Sequence, residues 1–173
     1  ALAAAAQSAL ARITLGGETL IERASAVLQT SGINVAPPPG AFVQAVAAAE
    51  DALVSAVLER IGKPKRTADL FCGVGTFTLA MARRSRVAAL DSDARSIAAL
   101  QSAVRHAGGL KPVEARVRDL FREPLSPREL AGLDAVVLDP PRAGAKAQCE
   151  ALARSDVSSI VYVSCDPATL ARD

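Results

Sequence analysis

The residues with the clearest chemical potential follow an apolar, β-branched run near the carboxyl end of the chain. The run Ile160–Val163 ends two residues before Cys165, which is followed directly by Asp166 and Pro167. Such a run is typical of a buried strand, and open α/β sheets bind ligands outside the carboxyl ends of their strands. A cysteine at that point is placed for nucleophilic attack, although an unpaired cysteine is usually a small buried hydrophobe. Three upstream motifs favour the nucleophile.

The first motif is a glycine turn between a short apolar strand and the start of a helix, in the segment DLFCGVGTFT at 69–78. Gly73 and Gly75 allow the backbone to approach a ligand closely, and the helix start offers unpaired N–H donors. A dinucleotide-binding turn would have its third glycine at this point, where the chain instead has Phe77 and Thr78. This departure favours a nucleoside carrying an amino acid over a pyrophosphate cofactor. A plain tight turn is the alternative.

The second motif is an acidic residue after the next predicted strand. Asp91 follows the strand at 87–90, and lies about 20 residues beyond the glycine turn, where a carboxylate accepts both hydroxyls of a ribose. Its alternative role is a helix cap. Because Asp93 is better placed as the cap of the next helix, we expect Asp91 to be free of the capping role. Asp119 holds the equivalent position after the third strand, either as an acceptor for an adenine amino group or as a surface residue.

The third motif is LDPPRAG at 138–144, directly after the fourth predicted strand. Two prolines make this loop rigid at the carboxyl edge of the sheet and direct Asp139 and Arg142 towards the cleft. A purely structural turn would need neither charge. The four strand ends together predict one site along that edge.

The elements that position these residues alternate between helix and strand after residue 40. Strands are predicted at 68–71, 87–90, 113–117, 135–138 and 160–163, with helices at 42–60, 77–84, 94–107 and 149–154. This alternation predicts parallel βαβ units with right-handed crossovers and helices on both faces. The fold class is therefore α/β, with a Rossmann-like sheet.

Residues 1–39 have a different pattern, which predicts a small segment containing β-hairpins. The first 11 residues favour a helix, and hairpins are predicted at 12–21, around Gly16-Gly17, and at 27–35, around Ser31-Gly32. Three prolines and Gly40 then form a stiff extended segment. We expect two domains, 1–39 and 40–173.

Composition sets the remaining bounds. Of the 173 residues, 50% are hydrophobic and 22% are charged, which indicates a folded core. The three cysteines (Cys72, Cys149 and Cys165) are far apart, which argues against a disulfide framework or a metal site and favours a reducing, cytoplasmic location. No apolar run reaches the roughly 18 residues of a membrane span.

The net charge of +2 does not by itself indicate binding to nucleic acid. The sequence contains two short clusters of basic residues, and each cluster by itself is typical of a solvated surface. Their members are Lys63, Lys65 and Arg66, and then Arg83, Arg84 and Arg86.

Together the four strand ends resemble a class I S-adenosylmethionine-dependent methyltransferase. More narrowly, DLFCGVGTFTLA, LDPPRAG and YVSCDPATLARD are similar to segments of the RNA uracil-5-methyltransferase family, which forms 5-methyluridine in transfer and ribosomal RNA. GAFVQ at 40–44 matches the segment ahead of that family's catalytic domain. The similarity covers residues 36–173, and TLARD resembles the ribosomal-RNA branch more than the transfer-RNA branch.

The resemblance implies that the cofactor is S-adenosylmethionine and that the substrate is RNA, ribosomal RNA in preference to transfer RNA. It implies that Cys165 is the nucleophile: it adds to uracil C6 and generates an enolate at C5, which attacks the methyl group. Asp139 would help to hold the target base. The implied cofactor contacts are Gln44, Phe71, Gly73, Thr76, Asp91, Asp119 and Asp139.

The resemblance also predicts a fragment. In the family, the glutamate that removes the C5 proton and the last two strands follow the segment that matches Asp173, and an RNA-binding barrel precedes the catalytic domain. We therefore expect 1–39 to be the remnant of a central or linker subdomain and 40–173 to be a truncated cofactor-binding catalytic domain. We expect a cytoplasmic monomer that has no metal and that does not turn over alone.

Two other functions stay open. A cytosine-5 RNA methyltransferase also attacks C6 through a cysteine, but commonly carries a cysteine beside the proline where this chain has Asp139. An amino-group methyltransferase would place an aromatic residue after the two prolines, where this chain has Arg142. Outside the enzymes, a non-catalytic cofactor-binding module could scaffold RNA processing.

Overall fold

The computed structural model describes residues 10–15, 18–43 and 46–173. In chain order, the strands and helices are β1 (Arg12–Leu15), β2 (Glu18–Glu22), β3 (Leu28–Thr30), β4 (Ile33–Val35), α1 (Ala47–Ile61), β5 (Arg66–Leu70), α2 (Thr76–Ala82), β6 (Arg86–Asp91), α3 (Ala94–His106), β7 (Val113–Val117), α4 (Pro127–Leu130), β8 (Ala135–Leu138), α5 (Lys146–Leu152), β9 (Ser159–Tyr162) and α6 (Pro167–Arg172).

Strands β5 to β9 form one parallel sheet in the order β7-β6-β5-β8-β9. The chain passes from β5 to β6 and β7 on one side, and then returns to β8 and β9 on the other. Its direction across the sheet therefore reverses between β5 and β8, which is the point where such sheets bind ligands. The predicted α/β class and Rossmann-like sheet are confirmed.

The hydrophobic core lies on both faces of this sheet, because alternate strand residues point to opposite faces. Val137 of β8 packs with Phe77 in a cluster that also takes in residues of α1. Its neighbour Val136 packs with Leu130 of α4 and Leu152 of α5. Burial on both faces explains why β8 is a continuous apolar run.

Several predicted boundaries are corrected. The helix predicted at 42–60 begins at Ala47, and Phe42 lies before it, 81% exposed. The strand predicted at 68–71 ends at Leu70, because Phe71 adopts a left-handed backbone with φ of +63°. Strand β9 is half-buried rather than buried, since among the described strands it pairs only with β8, and Ile160 is 44% exposed.

Two short helices were not predicted. Helix α4 begins with a capping box, in which the side chains of Ser126 and Glu129 satisfy each other's backbone N–H groups. Helix α6 is preceded by its N-cap residue Asp166, whose side chain accepts from the N–H groups of Ala168 and Thr169. Both helices are shorter than two turns, so their apolar residues leave no clear periodic signal.

Both predicted hairpins form, although Gly16-Gly17 and the helix predicted at 1–11 lie wholly or largely outside the described residues. In the second hairpin, Ile33 and Val35 are buried in one cluster with Ile97 and Leu100 of α3. This hairpin therefore packs onto the sheet-bearing part of the chain. The domain boundary at residue 39 stays a prediction.

Candidate functional site

The glycine turn after β5 has the backbone conformation that a close ligand requires. Gly73 and Gly75 have φ of +54° and +98°, values that glycine adopts without cost. A Cβ at Gly73 would meet no atom within 4 Å, whereas a Cβ at Gly75 would overlap the Leu100 side chain. Gly73 therefore borders open space, and Gly75 is required by packing. Phe71 holds its left-handed conformation at a cost of about 1–2 kcal/mol.

Asp91, at the end of β6, connects the second strand to this turn. Its Oδ2 accepts a hydrogen bond from the N–H of Gly73 at 2.8 Å, and its Oδ1 accepts one from the N–H of Asp93 at 2.8 Å. Asp93 caps α3 as predicted, and hydrogen bonds, chiefly from the Ser96 hydroxyl, lower the pKa of Asp93. Asp91 is therefore free of the capping role, as expected, but both of its carboxylate oxygens already accept backbone hydrogen bonds. Each carboxylate oxygen has a second lone pair, so Asp91 can still accept from a ligand.

A buried carboxyl group that was not singled out from the sequence lies beneath the turn. Asp69 is fully buried; its Oδ2 accepts from the Thr78 hydroxyl, and its Oδ1 has no partner within the described part of the chain. Burial, together with the negative charges of Asp139 and Asp91, raises the pKa of Asp69 to about 7, although the Thr78 hydrogen bond opposes the shift. The only signal in the sequence was an acid inside an apolar strand.

Asp139 lies at the end of β8, on the other side of the point where the sheet reverses. Its N–H donates to the Leu70 carbonyl of β5 at 3.2 Å, which joins the two strand ends. Asp139 is partly buried, and this burial raises its pKa to about 6. Arg142, which was expected to face the cleft, is exposed.

Cys165 lies at the same edge, beyond β9. Leu138 is paired in register with Tyr162, and the N–H of Val163 donates to the Leu138 carbonyl at 2.8 Å. Cys165 comes two residues later and is exposed. Its neighbour Asp166 accepts from the first N–H groups of α6, which holds the loop in place.

The other two thiols are less accessible. Cys72 is buried in the glycine turn, and Cys149 is half-buried in α5. Burial raises the pKa of Cys72 well above its usual range and also raises the pKa of Cys149. Cys165 is therefore the thiol that a large substrate can reach.

The last residues of the chain join the loop after β8 to β9. One carboxylate oxygen of Asp173 accepts from the N–H of Ala145 and, at 2.8 Å, from the Tyr162 hydroxyl. The Arg172 guanidinium donates to the Ala143 carbonyl at 2.8 Å. Burial and the hydrogen bond to Asp173 raise the pKa of Tyr162. These ties were not foreseen, because nothing in the sequence indicated that 162 and 173 meet.

Asp119 orders the turn after β7. Its Oδ1 accepts from the N–H groups of Phe121 and Arg122, at 3.0 and 3.3 Å. Phe121, which is 52% exposed, packs against Phe71 with ring centroids 5.4 Å apart. This aromatic pair links the ends of β5 and β7, and Phe121 was missed because an isolated aromatic in a polar segment carries no pattern.

The structure thus brings Phe71, Gly73, Asp91 and Asp139 to one edge, while Asp119 and Cys165 follow the outer strands of that edge. Thr76 is the first residue of α2. Gln44 lies outside the described residues. Within those residues, no group of three side chains is arranged to hold a metal, and no helix has the length and apolar character to cross a membrane.

This arrangement fits the predicted cofactor, S-adenosylmethionine, which carries a cationic sulfonium, an ammonium, a ribose and an adenine. The Oδ1 of Asp69 has no partner within the described residues, and burial raises the pKa values of Asp69 and Asp139, so the ionised form of each carboxylate is poorly stabilised. A bound cation would stabilise both carboxylates. Open space at Gly73 gives a ligand access to the backbone.

Comparisons with known proteins agree with this geometry. Residues 32–155 match the family model described as methyltransferase small domain. An uncharacterized RNA methyltransferase of Rhizobium meliloti is 54% identical over 164 residues, which are 95% of this chain and 40% of that protein. A 23S rRNA (uracil(1939)-C(5))-methyltransferase of Chromohalobacter salexigens is 40% identical over 150 residues, which are 85% of this chain and 31% of that protein.

One solved structure is similar over most of the chain. It is the tRNA (uracil-54, C5)-methyltransferase of Pyrococcus abyssi in complex with S-adenosyl-L-homocysteine, with 31% identity and a TM-score of 0.74. The match covers 86% of this chain and 36% of that one. The chain spans about 40% of the length of the first curated relatives that it matches.

Proposed function

Because the chain belongs to the methyltransferase small domain family, we propose that it is the catalytic unit of an RNA methyltransferase that methylates C5 of a uridine in ribosomal RNA. One observation carries the proposal: the exposed Cys165 shares a sheet edge with the glycine turn and two partly buried carboxylates. The uracil-C5 enzymes among the similar proteins support this substrate.

The cofactor is S-adenosylmethionine, which supplies an electrophilic methyl group. In the proposed complex, Asp91 uses its remaining lone pairs for the ribose hydroxyls, and Phe71 packs near the nucleoside. The backbone of Gly73 borders open space, so the cofactor can approach it closely. Contacts from Gln44, Thr76 and Asp119 stay predictions.

The thiol is needed because C5 of uracil is a poor nucleophile. In the proposed mechanism, the Cys165 thiolate forms a bond to C6, and the electrons of the C5–C6 double bond move towards C5 and the O4 carbonyl. C5 is then nucleophilic and would form a bond to the methyl carbon of the donor, while the methyl–sulfonium bond breaks and its electron pair stays on the sulfur of the departing S-adenosylhomocysteine. Loss of the C5 proton to a base restores the double bond as the electrons of the C6–sulfur bond return to Cys165. Asp139 holds the base near the thiol.

We propose that the proton acceptor lies in the natural protein after residue 173, where the resemblance puts a glutamate. In that case these 173 residues alone form a covalent adduct or do not react, and do not turn over. We further propose that the protein acts as a cytoplasmic monomer, and that 1–39 belongs to a neighbouring subdomain.

The test uses the protein at its natural length and ribosomal RNA transcripts that contain 5-fluorouridine. Fluorine at C5 cannot leave as a proton, so the adduct is trapped after methyl transfer. We expect a protein–RNA band on denaturing gels that requires S-adenosylmethionine, is lost in Cys165→Ala and is kept in the matched control Cys149→Ala. A band with 5-fluorocytidine RNA instead would favour the cytosine-5 enzyme. A band that persists in Cys165→Ala would contradict the nucleophile.

A further inference from the structure

The two basic clusters of the sequence meet at the amino-terminal edge of the sheet, opposite the candidate site. Arg66 starts β5 and is paired in register with Arg86, which starts β6. The N–H of Arg86 donates to the Lys65 carbonyl at 2.9 Å, and the N–H of Lys111 donates to the Ala82 carbonyl at 2.7 Å. We call the set the amino-edge cluster; its members are Lys63, Lys65, Arg66, Arg83, Arg84, Arg86 and Lys111.

The charges of this cluster are not neutralised by ion pairs. All seven side chains are exposed, and none of them takes part in an ion pair within the described residues. Arg83 donates to the Ser31 carbonyl. The carboxylate of Asp134 accepts hydrogen bonds from the backbone N–H groups of Lys65 and Arg66, at 2.7 and 2.9 Å.

The positive excess is local and large. Even if four acids (Glu59, Glu114, Asp134 and Asp156) each cancel one charge, the seven cations leave three positive charges at this edge, which exceeds the +2 of the whole chain. Arg66 and Arg86 also line one cavity of about 240 Å³ together with Glu114, so the two cationic side chains share a recess that contains one acid.

The shape of the cluster favours an extended polyanion over a single phosphate. It spans the starts of three adjacent strands, which lie about 4.8 Å apart. Exposed cations of this kind bind RNA by releasing counterions from its phosphates, without reading sequence. The five residues of β5 separate this edge from the candidate site by about 17 Å.

We propose that the amino-edge cluster is a second RNA-binding surface, which holds the phosphodiester backbone of the substrate at the edge opposite the candidate site. This proposal rests on the proposed function in one respect, which is that the ligand is the RNA that the protein methylates. Binding to the cluster is measured without methylation, so the two proposals can be tested separately. An RNA that reaches both edges is a large folded RNA, whereas a short stem-loop occupies the candidate site alone.

The test compares two triple variants of the natural-length protein. In the first, Lys63→Gln, Lys65→Gln and Lys111→Gln remove three charges; in the second, the same lysines become arginine. Affinity for a long ribosomal RNA fragment is measured against KCl concentration. We expect the glutamine variant to bind at least about tenfold more weakly near 0.1 M salt, with a slope of log affinity against log salt reduced by about 2. The arginine variant should match the wild type.

A second measurement separates this surface from the candidate site. The glutamine variant should raise the KM for the long RNA while kcat, the affinity for S-adenosylmethionine and the KM for a minimal stem-loop stay unchanged. Equal salt slopes for the glutamine and arginine variants would overturn the proposal. A loss of thermal stability in the glutamine variant, with its RNA affinity retained, would also overturn the proposal. In that case the cluster would bind an acidic protein segment instead of RNA. Absence of methylation with the salt effect intact would refute the proposed function and leave this surface standing.

Discussion

The two edges of the parallel sheet carry opposite charge, although the same strands build both. At the carboxyl edge, four acids lie within the strand ends or at most two residues after them: Asp69, Asp91, Asp119 and Asp139. At the amino edge, the residues that precede or begin β5, β6 and β7 are the exposed cations of the amino-edge cluster. Between the two edges, the interiors of β6 and β8 are apolar, whereas β7 carries Glu114 and Arg116. The carboxyl edge also holds cations, but Arg118 and Arg122 there are paired with acids, whereas the cations of the amino edge are not paired in the described part of the chain. The small net charge of the chain conceals this difference.

The edges also differ in how firmly their charges are held. The carboxylate of Asp91 is fixed by two backbone N–H groups, and that of Asp119 by two more. The cations of the amino edge, Arg83 apart, have no such anchors within the described residues. A fixed acidic site suits a small cationic ligand of defined shape, whereas loosely held cations suit a polyanion that binds in many arrangements. Single substitutions should therefore have large effects at the first edge and small, additive effects at the second.

The largest effect is expected at Asp91. We expect Asp91→Ala to weaken S-adenosylmethionine binding by roughly tenfold or more, because hydrogen bonds to a charged group are worth about 1.5–3 kcal/mol. Calorimetry on the natural-length protein measures it. The matched control is Asp93→Ala, which removes the cap of α3 at about 1 kcal/mol of stability and leaves binding unchanged. Equal losses in the two variants would reduce Asp91 to a support for the turn.

This comparison also separates what the sequence could predict from what it could not. The positions after strands were predictable, because strand ends and glycine turns leave local patterns. The pairing of Arg66 with Arg86 was not, since each basic cluster alone is typical of a solvated surface. The contact between Tyr162 and Asp173, likewise, depends on tertiary packing.

A smaller, pH-dependent effect is expected at Asp69. Its pKa is about 7 in the folded chain against an ordinary value of 3.8, so the folded chain holds this proton more tightly than the unfolded chain. The stability gained from the protonated group is complete below about pH 4 and is lost as the pH rises through 7. Asp139, with a pKa of about 6, acts in the same direction.

Because a cation favours the ionised carboxylates, binding of S-adenosylmethionine should strengthen several-fold as the pH rises from about 5.5 to 7.5. S-adenosylhomocysteine, which lacks the sulfonium charge, should respond less. Asp69→Asn keeps the shape but cannot titrate, so it should flatten both the binding profile and the fall in unfolding free energy measured by urea denaturation. Identical pH profiles for Asp69→Asn and the wild type would show that a group other than Asp69 causes the pH dependence.

The smallest effect is expected at Asp134, an acid within the amino edge. Asp134→Asn keeps an oxygen that can accept from the N–H groups of Lys65 and Arg66 but removes the negative charge beside the cations. We expect the affinity for long RNA to rise about two- to threefold at low salt, in the range of exposed charge pairs, and to return to the wild-type value at high salt as screening increases. Unfolding free energy should fall by about 0.5–1 kcal/mol, because a charge-assisted hydrogen bond becomes neutral.

The matched control for this substitution is Glu150→Gln, the same change of charge at an exposed position on α5. If removing either acid tightens RNA binding equally, the effect comes from net charge, and the amino edge has no special role. If only Asp134→Asn does so, the phosphates lie within about a Debye length of Asp134, roughly 10 Å at 0.1 M salt. The gain should also disappear when the three lysines are already glutamine, since the charge that Asp134 opposes is then largely removed.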